Sequence, residues 1–250
     1  MVVIIGAGLA GCEAAYQIAK KGIKVKLYEM KPKKFSPAHN SSNLAEIVCS
    51  NSFKSNAITN ACGLLKEELR RLDSLLIKCA DETSVPAGQA LAVDREKFSA
   101  LVTERIRSME NIELAEEEIG ENIHLNDLIK DNIVIIATGP LTSDSLSKEI
   151  MELTGEDKLA FYDAAAPIIE KESINFDIAF YASRYDKGEA SYINCPMNKE
   201  QYEKFYDYLI NAPRIELKDF EKDASFFEGC MPIEVMASRG IDTLRFGPMK

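Results

Sequence analysis

The sequence predicts an α/β fold with a parallel sheet at its start, on three observations. A short apolar run, Val2 to Ile5, ends in a glycine-rich turn, Gly6-Ala7-Gly8-Leu9-Ala10-Gly11, that opens a helix. A second strand, Lys24 to Tyr28, follows that helix and terminates at Glu29. Much further along, the apolar run Ile133 to Ala137 leads straight into Thr138-Gly139-Pro140.

Each element has a local reason. Val2 to Ile5 is rich in β-branched residues, as expected of a strand buried on both faces. From Leu9 to Lys21 the pattern becomes helical, with Ala10, Ala14 and Ile18 on one side. Lys20 and Lys21 lie at its C-terminal end, where cations suit the dipole, and Gly22 stands where a left-handed residue ends a helix. From Met30 to Asn60 the chain turns polar and irregular, with Pro32, Pro37 and two Asn-Ser clusters. So long a loop inside a compact domain is more often functional than accidental.

Leu64 to Leu76 predicts one helix, with Leu64, Leu65, Leu69, Leu72, Leu75 and Leu76 inward and Lys66, Glu67, Glu68 and Arg70 outward. Ala90 to Val93 reads as a strand. Asp94 then caps a helix through Ser108, whose stripe is Phe98, Leu101, Val102, Ile106 and Met109. Ser143 or Asp144 opens a further helix. Beyond residue 145 aromatics become denser and elements shorter: Ala179 to Tyr181 suggests a strand, and Glu200 to Ile210 an aromatic-rich amphipathic helix. The expected organisation is a dinucleotide domain over 1–145, a smaller α+β insertion domain over 146–228, and a segment over 229–250 that starts back toward the first domain.

Composition narrows the function. The hydrophobic share of 46% and charged share of 28% belong to an ordinary soluble globular protein. No apolar run is long enough to span a bilayer and no basic leader is visible, so neither a membrane partner nor secretion is expected. Cys12, Cys49, Cys62, Cys79, Cys195 and Cys230 include no CxxC pair, and His39 and His124 are the only histidines. That pattern fits no metal site and points to a reducing, cytoplasmic compartment. A net charge of −10 argues against nucleic-acid binding by bulk charge. A local basic rim remains open, from Lys31, Lys33, Lys34 and Lys54 with Arg70 and Arg71; an ordinary solvated face explains the same residues at least as well.

The turn after the first strand needs glycine for three reasons. Gly6 allows the tight turn, Gly8 lets the backbone approach a pyrophosphate, and Gly11 permits close helix–strand packing. The pyrophosphate sits on the helix N-terminus, where free N–H groups and the dipole favour negative charge. A lone GxGxxG is weak evidence. Here it lies between a strand and a helix, with Glu29, 18 residues after Gly11, placed to accept hydrogen bonds from an adenosine ribose. The same geometry serves NAD and FAD. Ile133 to Gly139 separates them, because it resembles the strand-plus-Ala-Thr-Gly turn of glutathione-reductase-like flavoproteins. The fold class is therefore a Rossmann-like FAD-binding domain of glutathione-reductase type, with Gly6, Ala7, Gly8, Leu9, Ala10, Gly11, Glu29, Thr138 and Gly139 as cofactor-binding residues.

Two cysteine loops stand out. Ala45 to Asn56 surrounds Cys49 with hydrogen-bonding side chains and Lys54, and cations and donors favour a nucleophilic thiolate. Phe227 to Glu234 holds Cys230 between Gly229 and Pro232. The other four cysteines are expected to be small buried hydrophobes, and composition alone leaves Cys49 and Cys230 undecided.

Several stretches together resemble one family, the folate- and FAD-dependent tRNA (uracil-5-)-methyltransferases, relatives of the glucose-inhibited-division proteins. They run in family order: Gly6 to Gly11, Tyr28 to Pro32, Pro37-Ala38-His39, the Cys49 loop, Gly63 to Glu68, Val85 to Gly88, Ala90 to Arg95, Phe227 to Glu234, and Asp242 to Lys250. The sequence departs from the pattern at Ala7, at Gln89 and at Phe53-Lys54, where Leu-Arg is usual; Lys54 loses the bidentate phosphate recognition of arginine. Family members also continue well past Lys250, so the chain resembles an N-terminal portion.

The resemblance implies methylation of C5 of a T-loop uridine in tRNA. Methylenetetrahydrofolate is the implied carbon donor, reduced FAD the source of reducing equivalents, and NADH or NADPH the reductant that renews it. C5 of uracil is a poor nucleophile until a thiolate adds at C6, and the base must leave its stack to be reached. By resemblance Cys49 is the nucleophile and Cys230 a second catalytic thiol or proton-transfer partner. Two other readings stay open: a generic FAD-dependent NAD(P)H oxidoreductase, and a non-catalytic dinucleotide-binding fragment.

Overall fold

A computed structural model describes residues 1–48, 50–155, 169–183, 189–213 and 232–246. Its centre is a four-stranded sheet of β1 (Val2–Ile5), β2 (Val25–Tyr28), β6 (Ile112–Ala115) and β7 (Ile133–Ile136), in the order β6-β2-β1-β7. Every pairing is parallel, with Ile5 opposite both Tyr28 and Ile136. All four residues of β1 are buried. Ile4 and Leu27 pack on one face with Ala15, Phe98, Val102 and Ile106, while Val3, Ile5 and Tyr28 pack on the other with Ile119, Leu125 and Leu146. Cover on both faces is why β1 reads as an unbroken apolar run.

Helix α1 (Leu9–Ala19) buries Gly11, Cys12, Ala15 and Ala19, one residue out of phase with the expected Ala10, Ala14 and Ile18 stripe. Gly22 takes the left-handed conformation expected of it, at φ +76°. The leucine-rich helix is two helices, α2 (Ala61–Arg71) and α3 (Leu75–Glu82). Asp73 breaks them apart at φ +62°, and the Ser74 hydroxyl caps α3 by accepting from the Ile77 N–H. The expected orientation of α2 is also reversed. Leu64, Leu65 and Leu72 are exposed, whereas Lys66 is only 6% exposed. Its ammonium donates to the Cys62 carbonyl of its own helix and to the Ser55 carbonyl outside it, both at 2.9 Å, so the Ser55 acceptor sets the phase of the helix.

A second, three-stranded antiparallel sheet orders β3 (Ser52–Ser55), β5 (Ala90–Val93) and β4 (Ser84–Val85) as β3-β5-β4. Helix α4 (Arg95–Arg107) carries the expected Asp94 cap and buries Phe98, Val102 and Ile106. Helices α5 (Leu125–Asp131) and α6 (Asp144–Thr154) supply Leu125 and Leu146 to the second face. The run at Ile133 is a sheet edge rather than a fully buried strand: Ile133 is 70% exposed.

The chain divides into two compact units, Met1–Leu159 with Lys187–Glu189, and Ala160–Asp186 with Ala190–Lys250. The expected boundary at residue 145 falls inside α6, whereas this division falls after Leu159. In the second unit β8 (Phe180–Ala182) and β9 (Tyr192–Asn194) form an antiparallel hairpin. Helix α7 (Lys199–Asn211), opened by an Asn198–Gln201 capping box, meets α8 (Ile233–Ser238) through a Tyr206 hydroxyl that donates to the Ala237 carbonyl at 3.0 Å. No helix among the described residues is long and apolar enough to cross a membrane.

Candidate functional site

The C-terminal ends of β1, β2 and β7 open into a cleft. Ligands of open parallel sheets bind in such a crevice. The turn out of β1 lies across its floor. Gly6 adopts φ +98°, and a Cβ there would fall 2.7 Å from the Ala137 carbonyl oxygen. The residue thus serves the approach of the Ala137-Thr138-Gly139 turn as well as its own turn. A Cβ on Gly11 would fall 1.8 Å from the Gly6 carbonyl oxygen, so α1 can start this close to β1 only without a side chain.

Gly8 differs from both. Nothing lies within 4 Å of where its Cβ would be. It is the N-cap of α1, and no side chain caps the helix there. Its lack of a Cβ answers no protein contact, which leaves the helix N-terminus bare toward the cleft for an anionic group.

Glu29 is buried at the end of β2. Its carboxylate accepts from the Ala7 N–H at 2.9 Å through Oε2 and from the Lys31 N–H at 3.1 Å through Oε1. Each oxygen keeps a lone pair for a ligand hydroxyl. On the far wall the Thr138 and Thr142 hydroxyls are 2.6 Å apart, and Thr142 also donates to the Gly139 carbonyl at 2.9 Å. Of the expected cofactor residues, Gly6, Ala7, Gly8, Glu29 and Thr138 line the cleft; Leu9, Ala10, Gly11 and Gly139 do not. The bare helix end, the open space at Gly8 and the buried carboxylate together suit a dinucleotide.

The irregular stretch after β2, expected to be functional from its length, forms a further wall through Lys31, His39, Ala45 and Glu46, none of which was expected to line the site. The Ala45 N–H donates to the Ala7 carbonyl at 2.9 Å, which ties the loop to the glycine turn. Glu46 gathers the loop by accepting from the Asn40 and Ser41 N–H groups at 3.0 and 3.1 Å. Lys31 donates to the Asn43 carbonyl at 2.6 Å and pairs with Glu46 at 3.4 Å. Opposite, Lys34 reaches Glu118 at 2.7 Å, and the Ser145 hydroxyl donates to the same carboxylate at 2.6 Å. Burial would raise the Glu118 carboxyl, but the hydrogen bonds from Lys34, Ser145 and Ser143 outweigh it and hold the group below its ordinary range.

These contacts dismantle most of the expected basic rim. Lys31 is buried, Lys34 is bound to Glu118, and Arg70 forks onto Asp81 with 2.7 Å bonds from Nε and Nη2. Arg71 pairs with Glu67 at 3.2 Å. Lys33 and Lys54 are exposed, with no ion pair among the described residues. Cys49 and Cys230 lie outside the described residues. The loop that follows Cys49 is anchored, because Asn51 Nδ2 donates to the Val93 carbonyl at 3.1 Å and Phe53 packs on Phe98 with ring centroids 5.4 Å apart.

The remaining cysteines do not all match the buried reading. Cys12 and Cys79 are buried, and burial pushes their thiols up to about 12 and about 11. Cys62 is half-buried and Cys195 exposed. Cys62 stands in the first turn of α2 and Cys195 directly after β9, and the exposure of each is decided by tertiary structure.

The family model described as glucose inhibited division protein A matches residues 1–250. The methylenetetrahydrofolate–tRNA-(uracil-5-)-methyltransferase TrmFO of Acetivibrio thermocellus is 61% identical over 247 residues, covering 99% of this chain and 55% of its own length. The protein of the same name from Bacillus pumilus is 60% identical over 247 residues, again 99% of this chain and 55% of its own length. The chain thus spans about half the length of the curated relatives it matches. A solved structure of Aquifex aeolicus GidA is similar at 21% identity and a TM-score of 0.38, over 47% of this chain and 19% of that one.

Proposed function

The chain belongs to the glucose inhibited division protein A family, and on that premise we propose that its cleft holds FAD within an enzyme that methylates C5 of a T-loop uridine in tRNA. The observation that carries the cofactor reading is the pairing of an open Gly8 and uncapped α1 N-terminus with the buried Glu29 carboxylate. The α1 N–H groups face the pyrophosphate, Glu29 accepts from ribose hydroxyls, and Thr138 closes the opposite side. When bound, FAD supplies reducing equivalents for completing the methyl group. The relatives named for methylenetetrahydrofolate and tRNA support that carbon donor and that substrate.

Cys49 adds as thiolate to C6 of the uracil and makes C5 nucleophilic toward the one-carbon unit, with Cys230 as the second thiol or proton-transfer partner. NADH or NADPH renews the reduced cofactor, and the setting is cytoplasmic. The test joins two measurements: the visible spectrum of the purified chain after FAD is added, and methyl transfer to tRNA with methylenetetrahydrofolate and NAD(P)H, alongside a full-length relative. Flavin absorbance retained by the chain, with methyl transfer in the relative that Cys49→Ala at the matching position abolishes, is the expected result. Full transfer without that cysteine would sink the nucleophile assignment. A chain that retains no flavin would sink the cofactor reading.

A further inference from the structure

His39 lines the same cleft, on the loop that Ala45 and Glu46 pin beside the glycine turn. Its Nδ1 lies 2.5 Å from the hydroxyl of buried Ser36. That hydroxyl oxygen also accepts from the Ala38 N–H at 3.4 Å, and in the tautomer assigned to the ring its single proton goes to Nδ1. That tautomer carries its own proton on Nε2. Among the described residues Nε2 has no protein partner, and it is not a buried unsatisfied atom, so it is open to the cleft. Burial first, then the Lys31 charge, holds the imidazole below its ordinary range against the opposing pull of Glu46 and Glu29. The ring is therefore a neutral donor at neutral pH.

We propose that His39 contacts the bound dinucleotide directly, with Nε2–H donating to an oxygen of its ADP half. The assignment rests on the dinucleotide reading of the cleft. It makes the Pro37-Ala38-His39 segment part of the binding wall, with Ser36 fixing the ring and Glu46 holding the backbone that follows at Asn40 and Ser41.

The chain has two histidines, so imidazole NMR of 15N-labelled protein reports on His39 once His124→Gln has assigned the other ring. Adding ADP, and separately FAD, should shift the His39 Nε2 signal and leave that of His124 in place. Titration by flavin fluorescence should show His39→Leu weakening FAD about tenfold, the scale of one lost hydrogen bond, while His39→Gln stays within about threefold because its amide offers a donor at similar reach. If His39→Leu fails to fold, the NMR shift in the unmodified chain still decides. A His39 signal that ignores bound ADP and FAD, or a His39→Leu protein that binds both as the parent does, overturns the proposal. ADP binding without FAD binding removes the flavin reading alone and leaves His39 to be judged on ADP. A chain that binds neither overturns both.

Discussion

Gly8 and Gly11 stand three residues apart in one motif, and the structure assigns them opposite kinds of work, which makes alanine at each a discriminating experiment. In Gly11→Ala the new Cβ would lie 1.8 Å from the Gly6 carbonyl oxygen and 3.5 Å from the Ala137 Cβ. Relief to an ordinary contact of about 3.4 Å requires a shift of about 1.6 Å between α1 and the turn, since 3.4 − 1.8 = 1.6. Both sides of that contact are backbone, and α1 is held there by Cys12 and Ala15, each 0% exposed. Alanine gains about 1 kcal/mol of helix propensity. Overpacking a fixed contact costs about 1–3 kcal/mol and more when backbone must move, so the cost wins. Gly11→Ala should lower the melting temperature by several degrees and weaken FAD binding as a consequence. Gly8→Ala meets nothing within 4 Å, and its backbone at φ −71° suits any residue. It loses no more than about 1 kcal/mol, through poorer N-cap preference, yet puts a methyl where the proposed pyrophosphate would approach. Circular-dichroism melts and flavin titrations of the two variants check both halves. A Gly11→Ala protein as stable as the parent would refute the packing argument, and a Gly8→Ala protein with unchanged FAD affinity would refute the cradle.

Three further outcomes follow from the same reading. Lys66 is held below its ordinary range first by burial, so the folded chain binds fewer protons there than the unfolded chain between the two values. Stability should accordingly rise with pH from the folded value toward that of free lysine, and denaturant melts should lose that rise in Lys66→Met; the same slope in both proteins would contradict it. Iodoacetamide at pH 8 followed by peptide mass spectrometry should modify exposed Cys195 well before Cys12 or Cys79, whose raised thiols leave little thiolate; equal rates would refute the burial of the latter pair. Leu72→Ser, at a site 69% exposed, should change stability by less than about 0.5 kcal/mol. Leu75→Ala, at 1% exposure, should cost about 2–5 kcal/mol, and a reversed ranking in urea melts would restore the single inward-facing helix.

What the sequence made legible is what local sterics and double-sided burial dictate. Strand β1 is readable because both of its faces are covered, and the glycine turn because its spacing follows from contacts within a dozen residues. Strand β6 is four residues long and interrupts its apolar run with Glu113, so nothing local distinguishes it from the end of α4; only pairing with β2 makes it a strand. Helix α2 shows why periodicity finds a helix but not its orientation. Its leucines allow two phases, and the choice belongs to Lys66, whose acceptor at Ser55 is brought to it by the fold. The loop after β2 has no periodicity at all. Its order comes from scattered polar contacts, among them Glu46 collecting backbone N–H groups, Lys31 donating to the Asn43 carbonyl, the Leu44 N–H donating to the Thr103 hydroxyl, and the backbone bond between Ala45 and Ala7. That bond joins the stretch leading to Cys49 to the turn proposed to bind the cofactor. Placing this loop beside the cleft therefore needs no motif of its own: a polar segment long enough to return from β2, and acceptors that only the fold supplies, shape it.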